Sequence, residues 1–343
     1  MTIFAWSGFP QYAARCIGAY VDSTRDDCIV VATRPAVPIK GMEDVCKCPV
    51  LWIEVDDTGK FMTRLPCVPD VLFVDGWSIK PFNLLRDRVR ASGGVVFAMS
   101  DNNFIFSIKE VVKSLRFRML LRRHYEGFLV PGKSGCRLMQ FYGVPQELVA
   151  MGMYSADPSL FSSTVPIESR PKRIIFVGQL CDRKNIVAFA KVFLEIDMRK
   201  RLGWELEICG CGPDREIIPK DPSILVYDFL QPNELVSHYQ NARVFVLPSK
   251  EEHWGLVVHE AALSGCYLLA SRQVGAGEDF VTEANGQLFD AYSACEMRFA
   301  LEKVFSMTDK ELRMASMTSL RLAKHFSLKS FVDGVCSLKE RTK

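Results

Sequence analysis

Arg243–Ala261 reads RVFVLPSKEEHWGLVVHEA, an apolar run that turns abruptly into a charged loop and then back into an apolar periodic stretch. RVFVLPS predicts a buried strand, Lys250 to Trp254 a loop, and Gly255 the start of a helix that Gly265 ends as its C-cap. A helix N-terminus presents backbone N–H groups and the positive end of a dipole, which suits a phosphate, and Gly255 lets an anion approach the backbone closely. Glu252 then sits at the mouth of the site, and Glu260 lies inside the helix. Carboxylates accept hydrogen bonds from paired sugar hydroxyls, so two of them beside an anion-binding helix point to a ligand that carries both hydroxyls and phosphate. The plainer alternative is an acidic cap at a helix start, with Glu260 on the polar face.

The same alternation runs through the surrounding chain. RIIFVG, WELEICGCG, ILVYDF, RVFVLPS and CYLLAS read as strands, separated by helix-like NIVAFAKVFLEIDMRKRL, NELVSHYQNA and GLVVHEAALSG. Consecutive βα units predict a parallel sheet with ligand-binding loops beyond the carboxyl ends of its strands. In the first half TIFAW, DCIVVAT, VLWIEV, DVLFVDG, GGVVFAMS and GFLVPG read as strands, KPFNLLRDRVRASG as a helix, and Ile108 to Tyr125 as a longer one. YSADPSLFSSTVPIESRPKR is rich in Ser and Pro and has no period, so it marks a domain boundary. The expected division is 1–165, 172–320, and a C-terminal helix within 321–343 that packs back towards the N-terminal domain.

A chain of 343 residues exceeds the usual single-core size. A hydrophobic fraction of 48% and a charged fraction of 24% are ordinary for a folded globular protein. Forty-three Lys and Arg against 40 Asp and Glu leave +3, which gives no support to a nucleic-acid partner. The 12 cysteines include Cys46/Cys48 and Cys209/Cys211, but no zinc-type set is complete, and their apolar neighbours predict reduced, buried thiols. The N-terminal stretch lacks the pattern of a signal peptide and no run has the length of a membrane span, so a cytoplasmic protein is the expectation, with contact at the inner face of a membrane left open.

With Glu252 and Glu260 in the spacing E-x7-E, the stretch resembles the motif of the retaining glycosyltransferases that include bacterial lipopolysaccharide and capsule sugar transferases. IIFVGQLCDRKN is similar to that family's VGRLxxxKG segment, ICGCGP to its GxGP turn, and EAALSGCYLLAS to the segment that follows its second glutamate. VGAGEDFVTEANGQLFD is similar to its Gly-and-Glu loop. The resemblance is concentrated in Arg173 to Asp290. It implies an α/β protein of the GT-B fold, in which two Rossmann-like domains with parallel sheets face a central cleft.

The resemblance also implies roles. Lys184 matches the lysine that binds the donor diphosphate; Gln179 stands where the family commonly has arginine, and Arg183 offers a cation from the same loop. Glu260 matches the carboxylate that holds the ribose hydroxyls, and Glu252 the one that faces the transferred sugar. Gly178, Gly210, Gly255 and Leu256 belong to the glycine turns and helix start around the donor, and His253 and Trp254 stand where glycine and an aromatic are usual. In the first domain Gly8 follows the first strand, and Ser100 and Asp101 stand where the family often carries a histidine, which makes Asp101 a candidate for organising acceptor or sugar. No metal or separate cofactor is implied; the substrate is a UDP-sugar or GDP-sugar. Transfer would retain the anomeric configuration, the leaving phosphate oxygen helping to take the acceptor proton.

SIKEVVKSLRFRMLLRRHYEG carries Lys109, Lys113, Arg116, Arg118, Arg122 and Arg123 beside an apolar stripe that includes Val111, Val112, Leu115, Met119, Leu120 and Leu121. Such a helix either packs on its sheet with a solvated basic face or meets an anionic membrane. The acceptor expected on this basis is a glycan or lipid-linked glycan. Two other readings compete: a catalytically silent subunit that binds glycan or nucleotide sugar, and a dinucleotide-dependent oxidoreductase. The latter is disfavoured because no GxGxxG fingerprint precedes a helix.

Overall fold

Runs of Val, Ile, Leu and Phe with no polar alternation are what strands covered on both faces require, and most of the thirteen strands among the described residues are such runs; ELEIC, which carries Glu205 and Glu207, is an exception. The computed structural model describes residues 1–36 and 38–341. It divides into two compact units, Met1–Ser155 joined by the segment from Phe326, and Ala156–His325. The first unit holds β1 (Thr2–Trp6), β2 (Cys28–Ala32), β3 (Val50–Trp52), β4 (Val71–Asp75), β5 (Val95–Met99), β6 (Gly127–Val130) and β7 (Val149–Met151). They form one parallel sheet in the order β3-β2-β1-β4-β5-β6-β7. Thr2 pairs with Cys28 on one side and Val71 on the other, which aligns a ladder of rings: Phe4 stacks 5.3 Å from Phe73, and Phe73 4.8 Å from Phe97.

The second unit holds β8 (Arg173–Val177), β9 (Glu205–Cys209), β10 (Ile224–Tyr227), β11 (Val244–Leu247), β12 (Tyr267–Ser271) and β13 (Gly286–Phe289), all parallel in the order β10-β9-β8-β11-β12-β13. In each sheet the strand order reverses once, between β1 and β4 and between β8 and β11. The connections on either side of such a point run to opposite faces, so the loops beyond the strand ends splay apart and leave a crevice.

The helix Leu328–Glu340 completes the first unit. Phe331 packs 5.8 Å from Phe4, and Lys339 forms an ion pair with Asp26 while its Nζ lies 2.8 Å from the Tyr20 hydroxyl.

Several elements differ from expectation. β7, β13 and the helix Ala294–Ser306 are additional. The helix expected over 185–202 stops at Glu195; Ile196 is extended, and Asp197 caps a separate turn, Met198–Arg201, by accepting from the Arg199 amide. The helix expected from Ile108 to Tyr125 is α-helical only to Arg116, continues as a wider π-turn over Phe117–Leu121, and ends in a 3-10 turn over Arg122–His124. The wider turn sets Phe117 among Trp77, Tyr142 and Phe128, at 5.2, 4.9 and 5.6 Å. All cysteines are free thiols, but burial is only partial: Cys16, Cys28, Cys46, Cys209 and Cys266 are buried, whereas Cys67 and Cys295 are exposed. Among the described residues no helix is long and apolar enough to cross a membrane.

Candidate active site

The chain leaving β8 turns sharply over Asp182–Lys184 and reaches its next helix through Asn185, which adopts a left-handed conformation (φ 60°) that Asn tolerates better than most residues. The buried Asn185 amide donates to Pro248 O at 3.2 Å and Ala291 O at 2.8 Å. The Lys250 amide donates to Arg183 O at 2.8 Å. These bonds tie the loop after β8 to the loop after β11 at the reversal point of the sheet. Beyond β9 the backbones of Gly178 and Gly210 meet so closely that a Cβ on Gly210 would lie 1.9 Å from Gly178 O, which no other residue survives without moving the strand ends.

Within that frame Lys184 and Glu252, both buried, form an ion pair. Ser249 Oγ lies 3.4 Å from the same carboxylate oxygen, and Arg183 approaches it to 3.6 Å while donating to Glu251 O at 2.9 Å. Two cations thus converge on one carboxylate beside the start of the helix Leu256–Leu263. Gly255 precedes that helix at φ 88°, and a Cβ there would lie 3.0 Å from Leu247 Cδ2 and 3.2 Å from Glu252 Cγ, so glycine is required by both conformation and space. Trp254 is buried against Phe280 (6.1 Å), its carbonyl accepting from the Ala276 amide at 2.8 Å. His253 and Gln179 are exposed, and Leu256 is half-buried.

Glu260 accepts a 2.8 Å hydrogen bond from the fully buried Tyr239 hydroxyl. Burial pushes the Glu260 carboxyl up to about 7, and the Tyr239 bond opposes that rise. Its neighbour His259 is buried, with Nδ1 accepting from the Ala156 amide and Nε2 facing Ala323 O, each at 3.1 Å. This fixes the Nε2–H tautomer, and burial lowers the imidazole to about 4. His259 therefore pins both ends of the second unit to the helix that carries Glu260.

The first unit holds the remaining candidates. The Gly8 amide donates to Thr33 Oγ1 at 2.8 Å, and the Ser7 amide to Asp75 Oδ2 at 3.0 Å, at the β1/β4 reversal. Asp75 is pushed up to about 7 by burial and then by the negative charge of Asp101, with the Ser7 amide opposing. The Tyr154 hydroxyl lies 3.5 Å from Asp101 Oδ2. Lys184, Arg183, Glu252 and Gly255 are brought together around one sheet reversal, and Glu260 stands further along the helix that starts there, against Tyr239; Gly8 and Asp101 belong to the first unit. Asn185, Ser249, Tyr239 and Asp75 were not anticipated. Only Asp75 had a usable signal, as the terminal residue of a strand bordering a reversal.

Residues 161–319 match the family described as glycosyl transferases group 1. A 94-residue stretch is 33% identical to D-inositol 3-phosphate glycosyltransferase of Corynebacterium urealyticum, covering 27% of this chain and 22% of that protein. The chain therefore spans about a fifth of the length of this curated relative. In fold, 99% of the chain superposes on all of HepE from Anabaena, solved with UDP and glucose, at a TM-score of 0.76 and 13% identity. A glycosyltransferase from Rickettsia africae gives a TM-score of 0.75 at 10% identity, over 100% of this chain and 98% of that one.

Proposed function

We propose that this protein, which has the GT-B fold and whose residues 161–319 match the family of glycosyl transferases group 1, moves a sugar from a nucleoside-diphosphate sugar to a hydroxyl of a glycan or lipid-linked glycan. The observation that carries the reading is the convergence of Lys184 and Arg183 on Glu252 beside the start of the helix at Gly255. An entering diphosphate takes over the two cations and the helix amides. Glu252, released from its pair, then accepts from a hydroxyl of the transferred sugar and stabilises positive character at its anomeric carbon. Glu260, oriented by Tyr239, accepts from the ribose hydroxyls.

As the bond between the anomeric carbon and the diphosphate oxygen breaks, Lys184 and Arg183 stabilise the charge that develops on the leaving group, the kind of term that is usually largest in catalysis. The acceptor oxygen bonds to the same face of that carbon, and its proton passes to the departing phosphate oxygen. This route retains configuration and requires no metal ion. UDP and glucose in the HepE complex support a UDP-sugar first, with GDP-sugars next.

The test is a thermal-shift screen with UDP-, GDP- and ADP-sugars and NAD, followed by hydrolysis and transfer assays. A nucleotide sugar is expected to stabilise the protein and to be turned over. Stabilisation by NAD and by no nucleotide sugar would replace the proposal with an oxidoreductase, and tight sugar-nucleotide binding without turnover would favour a silent binding subunit.

The helix Ile108–Arg116 and the turn that follows favour a membrane-exposed acceptor, because their amphipathicity is inverted. Glu110, Ser114 and Phe117 face inward, with Glu110 paired to the Tyr142 hydroxyl and Ser114 donating to Phe141 O at 3.0 Å. The apolar side chains point outward: Phe106 is 71% exposed, Ile108 84%, Val112 61% and Met119 69%, interspersed with exposed Lys109 and Arg116. Apolar side chains between cations match the boundary of an anionic bilayer, where each cation contributes roughly 1 kcal/mol. Arg122 is turned back onto Tyr125 O at 2.8 Å, so Lys109 and Arg116 are the informative positions. Lys109→Glu with Arg116→Glu is expected to weaken binding to phosphatidylglycerol-containing vesicles at least about tenfold, and Ile108→Ser with Val112→Ser to weaken it further. Unchanged sedimentation with vesicles in both variants would remove the membrane from the proposal.

A further inference from the structure

Outside the donor loops, the second unit gathers a cysteine, a histidine and a glutamate that the proposed transfer does not use. Glu207 and Cys209 stand two residues apart on β9, so both side chains leave the same face of the strand. His238 reaches them from the helix Pro232–Gln240, which follows β10. Its Nδ1 lies 2.5 Å from Glu207 Oε1 and 3.9 Å from Cys209 Sγ, and Cys209 Sγ lies 3.8 Å from Glu207 Oε1. The three donor atoms all fall within 4.8 Å of one another. We propose that Glu207, Cys209 and His238 form a binding site for one zinc-class divalent cation, which fixes the helix Pro232–Gln240 onto β9.

The donor set selects the cation. Thiolate, imidazole and carboxylate together suit a borderline cation such as Zn²⁺ rather than Mg²⁺ or Ca²⁺, which take oxygen ligands. Bonds of about 2.0–2.3 Å in tetrahedral geometry set donor atoms roughly 3.3–3.7 Å apart. The two edges from Cys209 already approach that spacing; the His238–Glu207 edge has to open by about 1 Å to reach it. The moving partner is His238, which is half-buried, whereas Glu207 and Cys209 are buried in the sheet.

The surroundings hold the ligands in place. Arg173 NH1 lies 2.9 Å from Glu207 Oε2, so one carboxylate oxygen is anchored while the other faces Cys209 and His238. Such outer partners orient metal ligands. The Tyr227 ring meets His238 edge-on at 4.9 Å. On binding, the Cys209 thiol gives its proton to solvent and the thiolate coordinates the cation, while His238 exchanges its Nδ1 proton through solvent for one on Nε2, so that the Nδ1 lone pair coordinates in place of the bond to Glu207. The half-exposed side of His238 supplies the entry path and a position for water as a fourth ligand. The next residue, Tyr239, is the donor to Glu260, so a cation at His238 also steadies the support of that carboxylate.

The test uses the full-length chain, stripped with chelator under reducing conditions and titrated with Co²⁺ as a spectroscopic stand-in for Zn²⁺. One equivalent is expected to produce tetrahedral visible bands and a thiolate-to-cobalt charge-transfer band, both removed by Zn²⁺. Cys209→Ser is expected to abolish the charge-transfer band, and His238→Ala to weaken binding at least about a hundredfold, with Cys48→Ser as a cysteine control that changes neither. Zn²⁺ is expected to raise the melting temperature of the wild type and not of His238→Ala, whose half-exposed position makes it the variant least disturbing to the fold. Cobalt spectra that are the same in the wild type, Cys209→Ser and His238→Ala, or a wild-type spectrum with no sulfur band, would overturn the site. Neither result depends on glycosyl transfer.

Discussion

Lys184→Ala is expected to lower sugar transfer by about 10²–10³-fold and to weaken nucleoside-diphosphate binding, the scale set by losing one preorganised group that stabilises charge in a transition state. The substitution has a second effect that must be separated from the first. It leaves the buried Glu252 carboxylate with Arg183 at 3.6 Å and the Ser249 hydroxyl at 3.4 Å as neighbours, and breaking a buried pair from one side destabilises a fold by as much as about 3–5 kcal/mol. Because Glu252 keeps some support, the expected loss is towards the lower end of that range. Lys184→Met combined with Glu252→Gln removes both charges at similar volume, so thermal stability should recover while transfer stays low. Denaturation curves and steady-state kinetics on the single and double variants together distinguish a catalytic cation from a structural one. Wild-type transfer and diphosphate affinity in Lys184→Ala would remove its assigned role outright.

Glu260→Gln should weaken nucleotide-sugar binding by about 10–100-fold, the range expected when hydrogen bonds to a charged group, worth about 1.5–3 kcal/mol, are lost. The pH dependence is the sharper signature. Since the Glu260 carboxyl stands near 7 in the free protein, binding of a ligand that needs the carboxylate should strengthen as pH rises through that value. A nucleotide sugar is the right probe, because its diphosphate is esterified at both ends and carries no proton that titrates in this range. Titration calorimetry from pH 6 to 8.5 should show the rise in the wild type and a flat profile in Glu260→Gln. Tyr239→Phe deletes a bond that favours the carboxylate, so it should move the wild-type midpoint upwards. The free protein should trend the other way: a carboxyl raised from its ordinary value contributes stability that is full below about 4.5 and lost as pH rises through about 7. A pH-independent affinity in the wild type would contradict the ribose role of Glu260.

The parallel sheets were legible because strands buried on both faces appear as uninterrupted apolar runs, as in RIIFV and YLLAS. β7 and β13 escaped because VAM and GQLF are too short to carry a period, and their place is decided by the neighbouring strand already formed. The helix from Ile108 shows a different limit. Its period reveals which residues share a face, but not which face turns inward; here the inward face is the one with Glu110 and Ser114, chosen by partners at Tyr142 and Phe141. The E-x7-E spacing and Lys184 were visible as a pattern, whereas the Lys184–Glu252 pair arises from two loops that only strand order brings side by side. The same holds for Tyr239 beneath Glu260 and for His238 beside Cys209, which no spacing rule connects.

The first unit depends on Phe331 and Lys339, which a ribosome delivers only after the whole of Ala156–His325 has left it. During synthesis the younger sheet can therefore finish while the older one waits with the Phe4 and Tyr20 side uncovered, a window in which chaperones or self-association compete for it. A stop codon near residue 325 would consequently injure the part of the polypeptide made earliest and spare the part made just before it.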